Sequence, residues 1–487
     1  MKQLFQNLSY HFTYQILAVI VALITSPYLS RVVGAEGLGT YSYSYSIVTY
    51  FTMIAMLGTT SYGSRTIAKA KASGQSIDKE FCSIYGLQLA TSSIALILYC
   101  AFVLIFAGED KNILWIQGIW ILSCLFDINW FFFGIEEFNV TFIRNIVIKL
   151  ITAIAIFAFV KTAGDTWLYI FILAVSNLLS QVVLWRFLIR RIKISCPNLK
   201  DVLSHIKPNI ALFIPLIGTS VYTTMDKTML GMLCTSTESG FYYNADKIMS
   251  IPLTLIIAAG TVMLPHMSSI AASQNKENER YVFNASFEFF LALSIGMSFG
   301  IAAIAKDFVP LYFGSGFEPC IVLVYIFSVI MVVKAITNIV KNQYIIPQSR
   351  ERVYTFSVVV GAIVNLISNY LLIYVSKLGA LGATIGTLVA EMAICFCYAF
   401  LIRKDVDILK NISNACLYII PGIIMGATII ATGALINNRL IRVLVQVPVG
   451  VVIYTTLCIL CWKLTPNRDL STVFVTYKQK LLLRFNR

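Results

Sequence analysis

Apolar stretches long enough to cross a bilayer recur from one end of this chain to the other, and no other feature constrains its fold as strongly. A helical span needs about 20 mostly apolar residues at 1.5 Å rise each. Within hydrocarbon every backbone N–H and C=O must be satisfied internally, which leaves helices and closed barrels as the spanning structures. Runs of this length are helices. Fourteen spans are predicted near residues 11–33, 41–63, 82–107, 113–134, 142–161, 166–189, 209–234, 244–270, 284–305, 318–341, 353–376, 379–402, 414–436 and 439–463. Only 12% of the 487 residues are charged and 58% are hydrophobic, against about 25% charged in soluble domains. The fold class is therefore all-α and polytopic, with about 14 transmembrane helices. The first span is too long for a secretory h-region and lacks a small-residue cleavage site, so it is read as a true helix. Connections stay below about 20 residues, which predicts no separate soluble domain.

The net charge of +14 would point to nucleic acid in a soluble protein. Here the placement of the charges explains it. With the N-terminus inside, inner loops and tails hold about 27 of the 37 Lys and Arg residues, and outer loops about seven. Three more lie within spans: Lys227, Lys247 and Lys334. This asymmetry places both termini in the cytoplasm and needs no nucleic-acid partner. The terminal cluster KQKLLLRFNR (Lys478–Arg487) reads either as a solvated basic tail or as a contact with anionic membrane lipid.

Eleven cysteines are scattered, nearly all within spans. Cys395-Phe-Cys397 and Cys458-Ile-Leu-Cys461 have metal-like spacings but lie in apolar helices without a His or Cys cluster nearby. They are read as small hydrophobic residues, with no metal and no cofactor expected. The three histidines, His11, His205 and His266, are far apart, and no nucleophile motif stands out, so no enzymatic activity is expected.

The spans divide into two six-helix bundles and a final pair, giving expected domains at 1–195, 196–405 and 406–487. The linker RFLIRRIKISCPNLKDVLSHIKPN (186–209), with two prolines and a dense basic charge, separates the halves. A shift of 201 residues lays Gly39 on Gly240, Tyr41 on Tyr242 and Arg65 on His266. In both copies a helix rises outward, turns on glycines beside an acid, and returns through tyrosines. Pseudo-symmetric halves of this kind suit a transporter that rocks one repeat against the other.

The stretch SRVVGAEGLGTYSYSYS (30–46) alternates tyrosine and serine like a strand, yet an open strand edge cannot face lipid. As a helix it forms a small polar ridge, Ser42, Ser46 and Thr49, with Tyr41 and Tyr45 alongside. That ridge is either a helix–helix interface or the polar wall of a cavity whose tyrosines stack on sugars. The glycines read as a tight turn needing positive φ. Arg31 at the outer end of its span can snorkel, pair with Glu36 or face an anionic ligand. Asp226-Lys227 and Asp246-Lys247 lie at comparable depths on consecutive antiparallel helices. They either form crossed ion pairs or act directly on a ligand or coupling ion. Lys334 lies mid-span with no acid nearby in sequence. Asp127, Glu288 and Glu391 are the remaining intramembrane acids, each a proton site or a partner for a lysine.

Three phrases carry a resemblance. Leu29-Ser-Arg31-Val-Val-Gly34-Ala-Glu36-Gly37-Leu-Gly39-Thr-Tyr41 resembles the first-helix signature of Wzx-type bacterial polysaccharide flippases. Asp226-Lys227-Thr-Met-Leu230-Gly231 followed by Gly240-Phe-Tyr242-Tyr-Asn-Ala245-Asp-Lys247-Ile resembles the matching signature of the second half. Leu378-Gly379-Ala-Leu-Gly382-Ala-Thr-Ile-Gly386-Thr is similar to a further feature of that family, within the multidrug/oligosaccharidyl-lipid/polysaccharide exporter superfamily. The resemblance implies two six-helix bundles set as a V around a cationic cavity. It also implies movement of an undecaprenyl-diphosphate-linked oligosaccharide from the inner to the outer leaflet for capsule, O-antigen or another surface polysaccharide. Arg31, Lys227, Lys247 and Lys334 would meet the diphosphate, and Tyr41, Tyr45, Tyr242 and Tyr243 the sugars. A polysaccharide polymerase and chain-length machinery are further partners it implies.

Two relatives within the superfamily compete. A multidrug or cation antiporter would carry acids midway along its first and seventh spans, and the first span here has none. A lipid II flippase would carry several arginines in its first two helices, where this chain has Arg31 and Arg65. A membrane scaffold in a polysaccharide-assembly complex is the reading without transport.

Overall fold

The computed structural model describes residues 2–106, 108, 111–273, 275–465 and 470, with side chains described from Leu17 onward save at 214–217, 219, 221, 222 and 259. The predicted basic cluster Lys478–Arg487 and the side chain of His11 lie outside the described residues. Every regular element among the described residues is helical, and the protein is an all-α, multi-pass membrane protein. Two compact units emerge, residues 1–240 and 241–487.

The first unit holds α1 (Lys2–Val32), α2 (Gly34–Met56), α3 (Thr59–Ser73), α4 (Ile77–Phe106) and α5 (Lys111–Cys124). It continues with α6 (Asn129–Gly134), α7 (Phe138–Phe159), α8 (Thr166–Leu188), α9 (Leu199–Ser204) and α10 (Ile206–Leu233). At its centre α2 packs against α4, α5 and α10. Its small residues allow that approach: Ser42, Ser44, Ser46 and Ala55 are all buried. One core gathers Ile47, Val48, Tyr99, Leu114 and Ile121. A second collects Phe81, Ile84, Trp130, Phe131 and Phe132 around the break between α5 and α6.

The boundary at residue 240 falls within α11 (Ser236–Ala272). The second unit continues through α12 (Lys276–Phe313), α13 (Pro319–Val340), α14 (Glu351–Asn369), α15 (Gly379–Leu401) and α16 (Ile408–Ala415). It closes with α17 (Ile419–Ala434) and α18 (Arg439–Leu464), which pack on one another and on α12. Tyr454 of α18 ties this final pair down by donating its hydroxyl to the carbonyl of Ala292 at 2.6 Å. Two π-helical turns, Lys341–Ile345 and Tyr370–Val375, widen the ends of α13 and α14, a distortion that costs hydrogen-bond geometry and frequently marks functional regions.

Large apolar side chains point outward as well as inward. Ile105, Phe106 and Phe396 are about 70% exposed, an arrangement water would penalise and lipid does not. Eleven helices among the described residues are long and apolar enough to cross a membrane, and twelve if one bent pair is a single span. The expected fourteen is not reached by that measure, although a helix runs through each predicted span. The difference falls on α10 and on α1 and α2, where α1 forms a bent pair, at 118°, with the segment Gly34–Ser73 that holds α2 and α3.

Candidate functional site

In the first unit the tyrosine–serine ladder lies in one continuous helix, α2. Of its three leading glycines only Gly34 takes positive φ, +76°, and the chain bends there. Gly37 and Gly39 are helical and serve close approach instead, which corrects the reading of the whole tip as a turn. A Cβ on Gly37 would strike Val33 and Thr166, and one on Gly39 the carbonyl of Ser236. Gly240 stands in the reciprocal position, where a Cβ would meet the carbonyl of Ala35. Thr228 Oγ1 of α10 lies 2.9 Å from Ser46 Oγ and 3.2 Å from the Tyr50 hydroxyl. Gln117 donates to Ser44 Oγ at 3.0 Å. The serine ridge is thus a helix–helix interface.

Tyr41 and Tyr45 are half-buried beside that ridge. Their rings stack at 5.6 Å, and Tyr169 and Trp120 pack against them edge-on at 5.2 and 5.0 Å, geometry that aromatic quadrupoles favour. Arg31 is exposed at the end of α1, Lys227 is half-buried and Asp226 is buried.

The second unit brings five of the predicted residues into defined contacts. Lys247 Nζ stands 5.5 Å over the Tyr243 ring, a cation–π distance. Tyr242 is buried, with its hydroxyl 3.2 Å from Thr387 Oγ1. Lys334 of α13 pairs with Glu391 of α15 at 3.7 Å. That acid is 57 residues away in sequence, so local reading of the tenth span left Lys334 without a partner. The separation is longer than the 2.7–2.9 Å of a charge-assisted hydrogen bond. Lys334 keeps a quarter of its side chain exposed while Glu391 keeps 4%, so an anion can reach the ammonium group more readily than the carboxylate.

Asp127 and Glu288 are placed elsewhere. Asp127 sits at the break between α5 and α6, accepting from the backbone N–H of Asn129 at 2.9 Å and its side-chain amide at 2.7 Å. Asn129 in turn accepts from Arg144 at 2.7 Å, and Arg144 donates to the Ser180 carbonyl at 2.7 Å. Gln88 satisfies the carbonyls that the break frees, those of Cys124 and Asp127, at 2.6 and 2.8 Å. Glu288 accepts from the Tyr418 hydroxyl at 2.7 Å, and Trp462 donates to that same oxygen at 2.8 Å. Arg144 was missed: it and Lys149 stand inside the predicted fifth span, so the intramembrane cations are not confined to Lys227, Lys247 and Lys334. An arginine three residues into an apolar run is the signal that the sequence carries. Among the described residues no group of three His, Cys, Asp or Glu is arranged to hold a metal.

A family model described as polysaccharide biosynthesis protein matches residues 4–271. The chain belongs to that family, in its Wzx-type branch. A second model, lipid II flippase MurJ, matches residues 138–447, consistent with one exporter superfamily embracing both. A protein of Shigella dysenteriae named "Putative O-antigen transporter" is 22% identical to this family member over 381 residues, covering 76% of this chain and 93% of the relative. "Probable low-salt glycan biosynthesis flippase Agl15" of Haloferax volcanii is 22% identical over 275 residues, covering 55% and 56%. Among solved structures, lipid II flippase MurJ in an inward closed conformation superposes with a TM-score of 0.73 at 14% identity, covering 94% of this chain and 99% of that one. An inward-facing multidrug transporter of the MATE family gives 0.58 at 13% identity, covering 82% and 98%. These two likenesses show the polysaccharide-family chain's fold alone.

Proposed function

We propose that the protein moves a polyprenyl-diphosphate-linked oligosaccharide, with undecaprenyl as the lipid, from the inner to the outer leaflet of a bacterial cell membrane for surface polysaccharide assembly. The observation that carries this reading is the presence of intramembrane cations in a chain of this family, above all Lys247 over the Tyr243 ring and Lys334, a quarter exposed beside Glu391. A diphosphate needs mobile positive charge, and sugars need π faces and hydroxyl partners. Lys227, Lys247, Lys334 and Arg31 serve the diphosphate, and Tyr41, Tyr45, Tyr242 and Tyr243 the sugar rings. Asp226, Asp246 and Glu391 balance these cations or couple an ion, whereas the contacts of Asp127 and Glu288 favour structural pairing. Both termini face the cytoplasm, and bundles 1–195 and 196–405 rock in alternating access, with 406–487 as an accessory pair. A polymerase and chain-length machinery take up the product outside.

Depletion tests this directly. Loss of the protein should leave completed lipid-linked units on the cytoplasmic leaflet, with the surface polymer gone and the sugar identified by mass. Normal delivery of those units to the outer leaflet would defeat the proposal. The match of the lipid II flippase model over 138–447 favours a second reading in which the accumulating species is a peptidoglycan precursor. The same mass measurement separates the two.

A further inference from the structure

The second unit carries a polar hollow of about 460 Å³ that the transport reading does not use. It opens where α12 begins, α15 ends and α16 begins, at the end that positive-inside asymmetry assigns to the cytoplasm. Four cations line it: Arg280 from the first turns of α12, Arg403 and Lys404 from the α15–α16 connection, and Lys410 from α16. At its base Asn411 donates to Asn284 at 2.9 Å, joining α16 to α12. A second hollow of about 490 Å³ shares Arg280 and Asn284, extending the cleft along α12.

Its carboxylates are already engaged. Asp405 takes the Arg350 guanidinium at 2.7 Å, Asp407 accepts the Lys410 backbone N–H at 3.0 Å, and Glu288 accepts the Tyr418 hydroxyl at 2.7 Å. Among the described residues Arg280, Arg403, Lys404 and Lys410 make no ion pair within 4.0 Å. Arg403 instead covers the Phe400 ring at 4.4 Å. Four basic side chains against three acidic ones leave the lining with an excess of positive charge, which attracts an anion. The residues next to these cations in the chain supply an apolar shelf: Phe400, under the Arg403 guanidinium, Leu401 and Leu409 are 53%, 40% and 68% exposed. An amphipathic short helix with charge above and leucine beside it belongs at headgroup depth.

We infer that this cleft binds the phosphate group of an anionic amphiphile, and the apolar shelf points to a phospholipid headgroup of the inner leaflet. The site is built from one unit and stands whether or not the chain flips lipid-linked sugars. Guanidinium and ammonium groups suit phosphate, one by its bidentate fork and the other as a point charge. The final helix pair would then be held to α12 partly by a lipid, through the α16 contact.

The full-length protein, purified in mild detergent, is incubated with phosphatidylglycerol or phosphatidylcholine, and the lipids retained are counted by native mass spectrometry. Wild type should keep one phosphatidylglycerol more than the K404Q/K410Q variant, whose affinity should fall about tenfold or more, with no difference for phosphatidylcholine. Displacement of the lipid by glycerol 3-phosphate or inorganic phosphate at concentrations far above its own would support phosphate recognition with a lipid as the source. Equal affinity for those soluble anions would support phosphate recognition with a soluble ester as the source. Equal phosphatidylglycerol retention by wild type and variant, with no phosphate binding to either, overturns the inference. Lys404→Glu, a single change at an exposed loop position, provides the same readout should the double variant fold poorly.

Discussion

Gly39 and Gly240, the two residues that the internal repeat superimposes, meet face to face: a Cβ on Gly39 would lie 2.8 Å from the backbone nitrogen of Gly240 and would strike the Ser236 carbonyl. The repeat therefore places its matching glycines where two helix starts, α2 and α11, touch backbone to backbone. Neither neighbour is a flexible side-chain end, so a methyl group can be accommodated only by shifting a helix. Gly39→Ala should destabilise the protein by about 1–3 kcal/mol, the usual range for overpacking, and Gly240→Ala similarly. Thermal unfolding in detergent reads this out, and an unchanged midpoint for both variants would remove the close-approach argument.

Lys334 and Glu391 are held together across α13 and α15. Removing one member of a buried pair strands the other and costs about 3–5 kcal/mol, whereas replacing both can be neutral. Lys334→Met and Glu391→Met alone should each lower stability, and the double variant should recover most of it. Because Lys334 is proposed to meet the diphosphate, surface polymer should stay absent in the recovered double variant. A double variant with restored stability and normal polymer would show the pair to be structural only.

Arg144 closes the polar network at the α5–α6 break, bonding Ser180 and Asn129. Arg144→Leu removes a donor from the Ser180 carbonyl and from the Asn129 amide oxygen, and takes the nearby cation away from the Asp127 carboxylate that Asn129 holds, in a low-dielectric setting. A loss of about 3–5 kcal/mol is expected, with sharply reduced yield of folded protein. Arg144→Lys should recover part of it. Wild-type yield and unfolding temperature for the leucine variant would show that water or other groups satisfy the site.

His205 caps α10 outside the predicted spans, its Nδ1 2.7 Å from the Tyr62 hydroxyl. Burial pushes its pKa below the ordinary 6.5, while Glu80 and Asp201 oppose that shift. A histidine whose folded pKa is depressed binds fewer protons folded than unfolded as pH falls through 6.5, so acid draws the equilibrium toward the unfolded state. Stability should decline below about pH 6.5, and His205→Gln should flatten that decline. An identical pH profile for the variant would exclude His205 as its cause.

The helices and their order were legible in the residues, because lipid forces every apolar run of sufficient length into a helix whatever surrounds it. The glycine–tyrosine repeat was legible for a similar reason, being a local phrase used twice. The candidate site was only partly so. Lys334 looked unaccompanied because its partner Glu391 lies two helices onward, and the Tyr-Ser ladder admitted two readings until α10 was found against its serines. Arg144 stands in the first turn of the predicted fifth span, and the partners that hold it, Asn129 and Ser180, come from other elements, which apolar length does not reveal.

Hydrophobicity and charge asymmetry by themselves determined an all-α, multi-pass membrane protein, since both act residue by residue through transfer from water to lipid and need no knowledge of neighbours. Tertiary structure decided which glycines turn and which merely clear space, which acids answer which cations, and where a hollow gathers four basic side chains from three elements. Those outcomes depend on distances between helices far apart in sequence. A charge buried in low dielectric is governed by what stands within a few ångströms of it, and only the folded chain sets that.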